Sequence, residues 1–331
     1  MRRTLKTALV VIALLVIVYF LGPKPAPPAL GGALPGVPDQ PAWLETFIGQ
    51  KEAQHRLRPG NEARIVWAGA EGEKTPYSVV YLHGFSASEK EGDPVHRDFA
   101  KLNGYNLYLS RLDQHGIDTS EALEKMTAQG LWEDAKEALA IGKQLGNRVI
   151  LMGTSTGGTL ALLLAAQYPN DVAAVINMSP NIAINEKMIG MLDEPWGLMV
   201  ARLVKGGKYN EYKPENPEKA KYWYTKYRLE AVVELENLVD HTMTPETFAR
   251  IHQPVLNLYY YKNETEQDQT VKVSAILDMH KELGTPDSLK KAMAIPKAGT
   301  HVIGSSITSG DVPGVEAAII SWWREVNRNR N

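Results

Sequence analysis

The chemistry of this chain is legible first at a serine. Residues 147–167 read NRVILMGTSTGGTLALLLAAQ, which sets Ser155 in a G-x-S-x-G spacing between Gly153 and Gly157. Residues 148–152 are apolar and rich in β-branched types, as in a strand buried on both faces. Residues 159–167 are small and apolar without a breaker, as in a buried helix. A serine at the apex of a strand–glycine turn–helix unit is a nucleophile presented on a sharp bend. The flanking glycines have a mechanical reason, because strand and helix backbones leave no room there for Cβ atoms. A hydroxyl attacks a carbonyl only when a base takes its proton and a carboxylate holds that base in the right tautomer. His301, in a glycine-containing loop after the last expected strand, is the base candidate. The polar loop KNETEQDQTV, residues 262–271, offers Asp268, Glu266 and Glu264 as the acid, in that order of preference. His83 also tempts as a base, but its position favours hydrogen-bonding its own loop. The remaining histidines fall in expected helices or other loops.

The elements that must position these residues alternate. Strands are expected over residues 64–67, 77–82, 105–109, 148–152, 172–178, 255–260 and 292–295. Helices are expected over 42–54, 94–102, 132–145, 159–167, 271–283 and 315–326, with Thr119 or Ser120 capping a further helical stretch. This alternation predicts an α/β fold, with a mainly parallel sheet covered on both faces. Between 181 and 251 strands stop and aromatics and methionines cluster, which predicts a helical insertion. Within it Met188, Trp196, Met199 and Trp223 are candidate substrate-binding residues, since flexible methionines and aromatics suit an apolar roof. Packing within the insertion is the plainer account of each.

Composition narrows the classes. The chain of 331 residues has a formal net charge of −2 and no basic patch, which argues against a nucleic-acid partner. It has no cysteine, which excludes disulfides, a thiolate nucleophile and cysteine-bound metal. No metal-binding or cofactor motif is present. At the N-terminus Arg2, Arg3 and Lys6 precede an unbroken apolar run over residues 8–21. This predicts a signal anchor or transmembrane helix over residues 1–22, with the rest of the chain on the extracytoplasmic side, or a cleaved signal peptide and a secreted enzyme. Residues 23–41, dense in proline, read as a semi-extended linker. Residues 42–331 form the main domain, carrying the 181–251 insertion.

These residues resemble the α/β-hydrolase superfamily. HGFSAS after the second expected strand, at 83–88, and GTSTGG at the elbow are similar to the carboxylesterase and monoacylglycerol-lipase group. SRLDQHG resembles the "GHG" segment of those lipases, with Gln114 in place of its first glycine. The resemblance covers residue 77 to the C-terminus. It implies an oxyanion hole made by the backbone N–H groups of Phe85 and Thr156, a D-x-x-V acid loop matching Asp268 and Val271, and a cap at the insertion. The implied activity is hydrolysis of short- to medium-chain acyl esters, monoacylglycerol-like substrates among them, with no cofactor. A thioesterase or amidase with the same three residues, and an inactive hydrolase-fold binding module, are the alternatives.

Overall fold

The computed structural model describes residues 2–328. Met1 and residues 329–331, the outer ends of two expected domains, and the side chains of Arg2 and Arg3 lie outside the described residues. The chain runs α1 (Arg2–Phe20), α2 (Leu44–Glu52), β1 (Arg64–Val66), β2 (Thr75–Leu82), α3 (Val95–Asn103), β3 (Asn106–Leu109), α4 (Ala128–Leu145), β4 (Gly146–Thr154) and α5 (Thr156–Gln167). It continues with β5 (Val172–Met178), α6 (Gly197–Lys205), β6 (Tyr209–Glu211), α7 (Lys219–Tyr222), β7 (Lys226–Arg228), α8 (Leu229–Thr242) and α9 (Pro245–Ala249). It closes with β8 (Val255–Tyr259), α10 (Val273–Glu282), β9 (Lys290–Ala294) and α11 (Val312–Arg328). The main sheet has the order β1-β3-β2-β4-β5-β8-β9. Only β1 is antiparallel to its neighbour.

Period-two alternation sorts the strand side chains onto two cores. Val80, Leu82, Val149 and Leu151 face a layer built from α2, α4, α5, α8 and α10. Val79, Tyr81, Ile150 and Met152 face α3 and α11. In that second core Trp323 packs edge-on against Tyr77 and Phe99. Because both faces are covered, the central strands are apolar throughout.

Three expectations need correction. Residues 181–251 are not wholly helical, since β6 and β7 pair antiparallel within them. Nor are they one separate cap: Leu235, Leu238, Val239, Phe248 and Ile251 belong to the main core. Apolar spacing shows that a helix has a buried face but not what buries it. The helix after the third strand starts at Ala128, with Thr127 accepting the Gly130 amide as its cap, and not after Thr119 or Ser120. The 23–41 stretch lacks regular structure, as its prolines require, but it is docked rather than free. Gln129 Oε1 accepts the Ala29 amide, and Asn237 and Tyr168 donate to the carbonyls of Ala26 and Gly32.

α1 forms, with its apolar side chains exposed. Among the described residues no helix is long and apolar enough to cross a membrane. The basic residues occupy the first turns, so the apolar part of α1 spans only about 20 Å at 1.5 Å per residue. A hydrocarbon core is about 30 Å thick.

Trp323→Ala removes a 1 % exposed indole from the α3–α11 core. It should cost about 3–5 kcal/mol, read as a lowered midpoint in urea denaturation at unchanged slope.

Candidate active site

The serine's backbone is held from both sides of the turn. β4 ends at Thr154, Ser155 takes φ 53° and ψ −118°, and α5 begins at the next residue. A non-glycine residue at this angle stores strain. It persists because its neighbours pin it. The Ser155 amide donates to Met178 O at 3.1 Å. Its carbonyl accepts from Gly158, Thr159 and Asn181 at 2.9, 3.2 and 3.0 Å. The turn can close only on glycine. A Cβ on Gly157 would sit 1.9 Å from Leu82 O, and one on Gly153 would sit 2.4 Å from the Gly157 carbonyl carbon. The same contact brings the end of β2, and the loop after it, against the nucleophile turn.

His301 follows β9, and Asp268 lies in the loop after β8. Their side chains meet: His301 Nδ1 and Asp268 Oδ2 are 2.6 Å apart. Asp268 is buried, and its other oxygen accepts the amides of Thr270 and Val271 at 2.8 and 3.1 Å. The D-x-x-V spacing therefore holds the carboxylate through backbone donors just before α10. Burial pushes Asp268 up, but the His301 charge and these hydrogen bonds outweigh it and leave the carboxyl below its ordinary value. Burial pushes His301 down, while Asp268 and, more weakly, Glu91 carry it above the usual histidine value. Glu264 and Glu266 stay on the solvated loop face, where Glu264 accepts the Tyr261 hydroxyl and Glu266 pairs with Lys262. His301 Nε2 is buried without a hydrogen-bond partner. The imidazole is thus bonded to the acid and not to Ser155. Such a link commonly closes only when substrate is bound.

The amides of Phe85 and Thr156 donate to no protein acceptor among the described residues. Two neutral histidines orient the loop that carries the first. His83 Nδ1–H donates to Gly84 O at 2.9 Å, the carbonyl of the peptide group whose N–H belongs to Phe85. Its Nε2 accepts the Leu112 amide at 3.1 Å. Burial pushes His83 down to about 4, so it stays neutral and keeps this tautomer. His115 packs against it with ring centroids 4.9 Å apart. His115 Nε2 accepts the Ser86 amide at 2.9 Å, and Nδ1–H donates to Asp113 O at 2.8 Å. Gln114 sits at φ 60°. This left-handed position is where the resembled segment carries glycine, so the departure is accommodated with some strain.

The expected substrate-contacting residues divide. Trp223 is buried against Ala87 and Val302, the residue after His301. Trp196 instead donates to Val18 O and Tyr19 O at the end of α1. Met188 and Met199 are exposed. Two buried polar groups were not among the sequence candidates. His115 carried a signal only through the SRLDQHG resemblance, and Glu91, in the charged run EKEGD, carried none. Glu89, Asp93 and His96 converge on one another. Arg97 pairs with both carboxylates and Lys90 with Asp93, so the group is an ion-pair cluster.

Asp268→Asn should leave burial as the dominant influence on His301. Its imidazole should then titrate below the ordinary histidine value, whereas in the intact chain it titrates above. Histidine titration by NMR checks the direction.

Comparison with known proteins bears on this arrangement. Residues 74–263 match the family described as serine aminopeptidase, S33. A thermostable monoacylglycerol lipase from Bacillus sp. (strain H-257) is 31% identical over 134 residues, covering 40% of this chain and 52% of that protein. The chain thus matches about half the length of this curated relative. Among solved structures, one from the work on LipS and LipT, two metagenome-derived lipolytic enzymes, aligns with TM-score 0.64 at 18% identity, over 82% of this chain and 100% of that one. The monoacylglycerol lipase of Paleococcus ferrophilus aligns with TM-score 0.57 at 17% identity, over 79% and 98%. With the sheet order and the serine turn already described, the chain has the α/β-hydrolase fold and belongs to the serine aminopeptidase S33 family.

Proposed function

We propose that this protein is a serine hydrolase cleaving carboxylic esters of short to medium acyl chains, with monoacylglycerol-like esters as the first substrates to try. The observation that carries the reading is the His301–Asp268 pair. A part-buried imidazole has one nitrogen bonded to a buried carboxylate at 2.6 Å and the other buried without a partner. Such a nitrogen is costly to bury unless something comes to use it. In this reading Ser155 Oγ attacks the ester carbonyl and His301 Nε2 takes its proton. Asp268 holds the Nδ1–H tautomer and stabilises the imidazolium. The amides of Phe85 and Thr156 receive the oxyanion, a contribution worth about 3–4 kcal/mol per donor in comparable sites. His301 returns the proton to the leaving alcohol, and water repeats the sequence on the acyl-enzyme.

Ser155 is only 7 % exposed. Phe85 of the oxyanion loop is met edge-on by Tyr227 at 5.0 Å. The substrate therefore enters when the segment carrying Trp223 and Tyr227 moves aside. The family's description as aminopeptidases favours a second reading, in which the same residues cleave an amide and His301 protonates an amine.

A fluorophosphonate probe should label the intact chain and fail to label Ser155→Ala. That variant should lose ester hydrolysis by roughly 10⁴-fold or more. A panel of p-nitrophenyl esters and aminoacyl amides then separates the two readings. Absence of labelling in folded intact protein would leave an inactive binding module.

We further propose that the N-terminal helix targets the chain for export and holds it at the membrane, with the hydrolase domain on the extracytoplasmic side. The exposed apolar surface of α1 supports this. Deleting residues 1–21 should move the protein from the membrane to the soluble fraction. Protease added outside spheroplasts should cut the full chain, and protection of the domain would refute export.

A further inference from the structure

One buried carboxylate at the site has no part in the proposed reaction. Glu91 is 2 % exposed and lies on the 3-10 turn Glu89–Gly92, just after HGFSAS. Its Oε2 accepts the Gly84 amide. A Cβ on Gly84 would lie 2.8 Å from Glu91 Oε2 and 3.0 Å from Ser155 Cβ. The carboxylate and the serine therefore flank the same glycine.

Three segments meet around this side chain. From the insertion, the Lys219 ammonium and the Trp223 indole favour its ionised form. The Tyr224 amide donates to Ser86 O at 2.8 Å, which ties the insertion to the oxyanion loop. From the His301 loop, Ser305 Oγ donates to Lys90 O and the Ser306 amide to Asp93 O, both at 2.9 Å.

We infer that Glu91 is a positioning residue, whose carboxylate holds the Gly84–Phe85 segment through the Gly84 amide and whose negative charge stabilises the imidazolium of His301. This rests on the reaction proposed above. The physical argument is Coulombic. A carboxylate in low-dielectric surroundings interacts with a neighbouring cation far more strongly than it would in water. Its effect on the imidazole is the second largest attractive charge there, after Asp268.

The charged and titratable groups around Glu91 are few. Tyr81 faces it from β2, Tyr212 and Lys219 from the insertion, and His301 from its loop. Both tyrosines are raised above their ordinary range and stay neutral. On its own turn, Glu89 is held at about 2 by His96, Arg97 and Arg64 against burial, and Lys90 pairs with Asp93. Burial pushes Glu91 up to about 7. Glu91 and His301 favour each other's ionised form.

The test compares intact protein, Glu91→Gln and Glu91→Leu over a pH series on one p-nitrophenyl ester, with fluorophosphonate labelling alongside. Glu91→Gln keeps an acceptor for Gly84 but removes the charge. Its acid limb of kcat/KM should move to lower pH by roughly half a unit or more, with plateau kcat lowered, though by less than in Glu91→Leu. Glu91→Leu removes both and should lower kcat by roughly 10- to 100-fold with little change in KM. NMR titration of His301 in Glu91→Gln reads the same shift without turnover, and decides the matter if Glu91→Leu does not fold. A Glu91→Gln profile and imidazole titration superimposable on those of the intact protein would overturn the inference. If the intact protein itself neither labels nor turns over, the proposed reaction fails instead.

Discussion

The close approach of two backbones decides this site. The first turn of α5 starts so near the end of β2 that the Leu82 carbonyl occupies the place where a side chain on Gly157 would begin. That contact presents Ser155 on a bend no ordinary helix start would adopt. It also brings the His83–Ser86 loop against the serine, because the loop is the continuation of β2. The serine and the two free amides proposed as oxyanion donors are placed by one steric event, not two.

What surrounds the turn is kept neutral by burial. His83 and His115 are both pushed down by desolvation, so each keeps one donor and one acceptor nitrogen. Each spends these on backbone groups of the oxyanion loop or of the segment after β3. A charged imidazole would have no acceptor nitrogen for Leu112 or Ser86. His301 differs in having a carboxylate, not a carbonyl, at Nδ1 and no partner at Nε2. The same burial that silences two histidines thus leaves a third able to ionise, because its partner carries charge.

The sheet holds these groups at one edge. β4, β8 and β9 are parallel neighbours or near neighbours, so the turns after them end on the same side. This is the crevice where open α/β sheets place their chemistry. The insertion packs on that edge, and its C-terminal part is rooted in the core through α8 and α9. The part before α8, which holds Trp223 and Tyr227, contributes little to that core.

Much of this was legible from residues 83–88, 113–116, 153–158, 268–271 and 299–301, since local pattern carries local geometry. Alternating apolar runs determined the strands, because a strand covered on both faces admits little else. Glycine spacing determined the bend at Ser155, because only glycine tolerates that contact. Which of Asp268, Glu264 and Glu266 lies against His301 was decided by tertiary structure. All three share one polar loop, and only the path of the chain between β8 and α10 buries one of them beside His301. The burial of Glu91, the rooting of α8 in the core and the docking of the proline-rich stretch were likewise decided there. In each case the local sequence reads as polar, amphipathic or structureless, and burial depends on partners more than a hundred residues away along the chain or on loops that meet only in the folded protein.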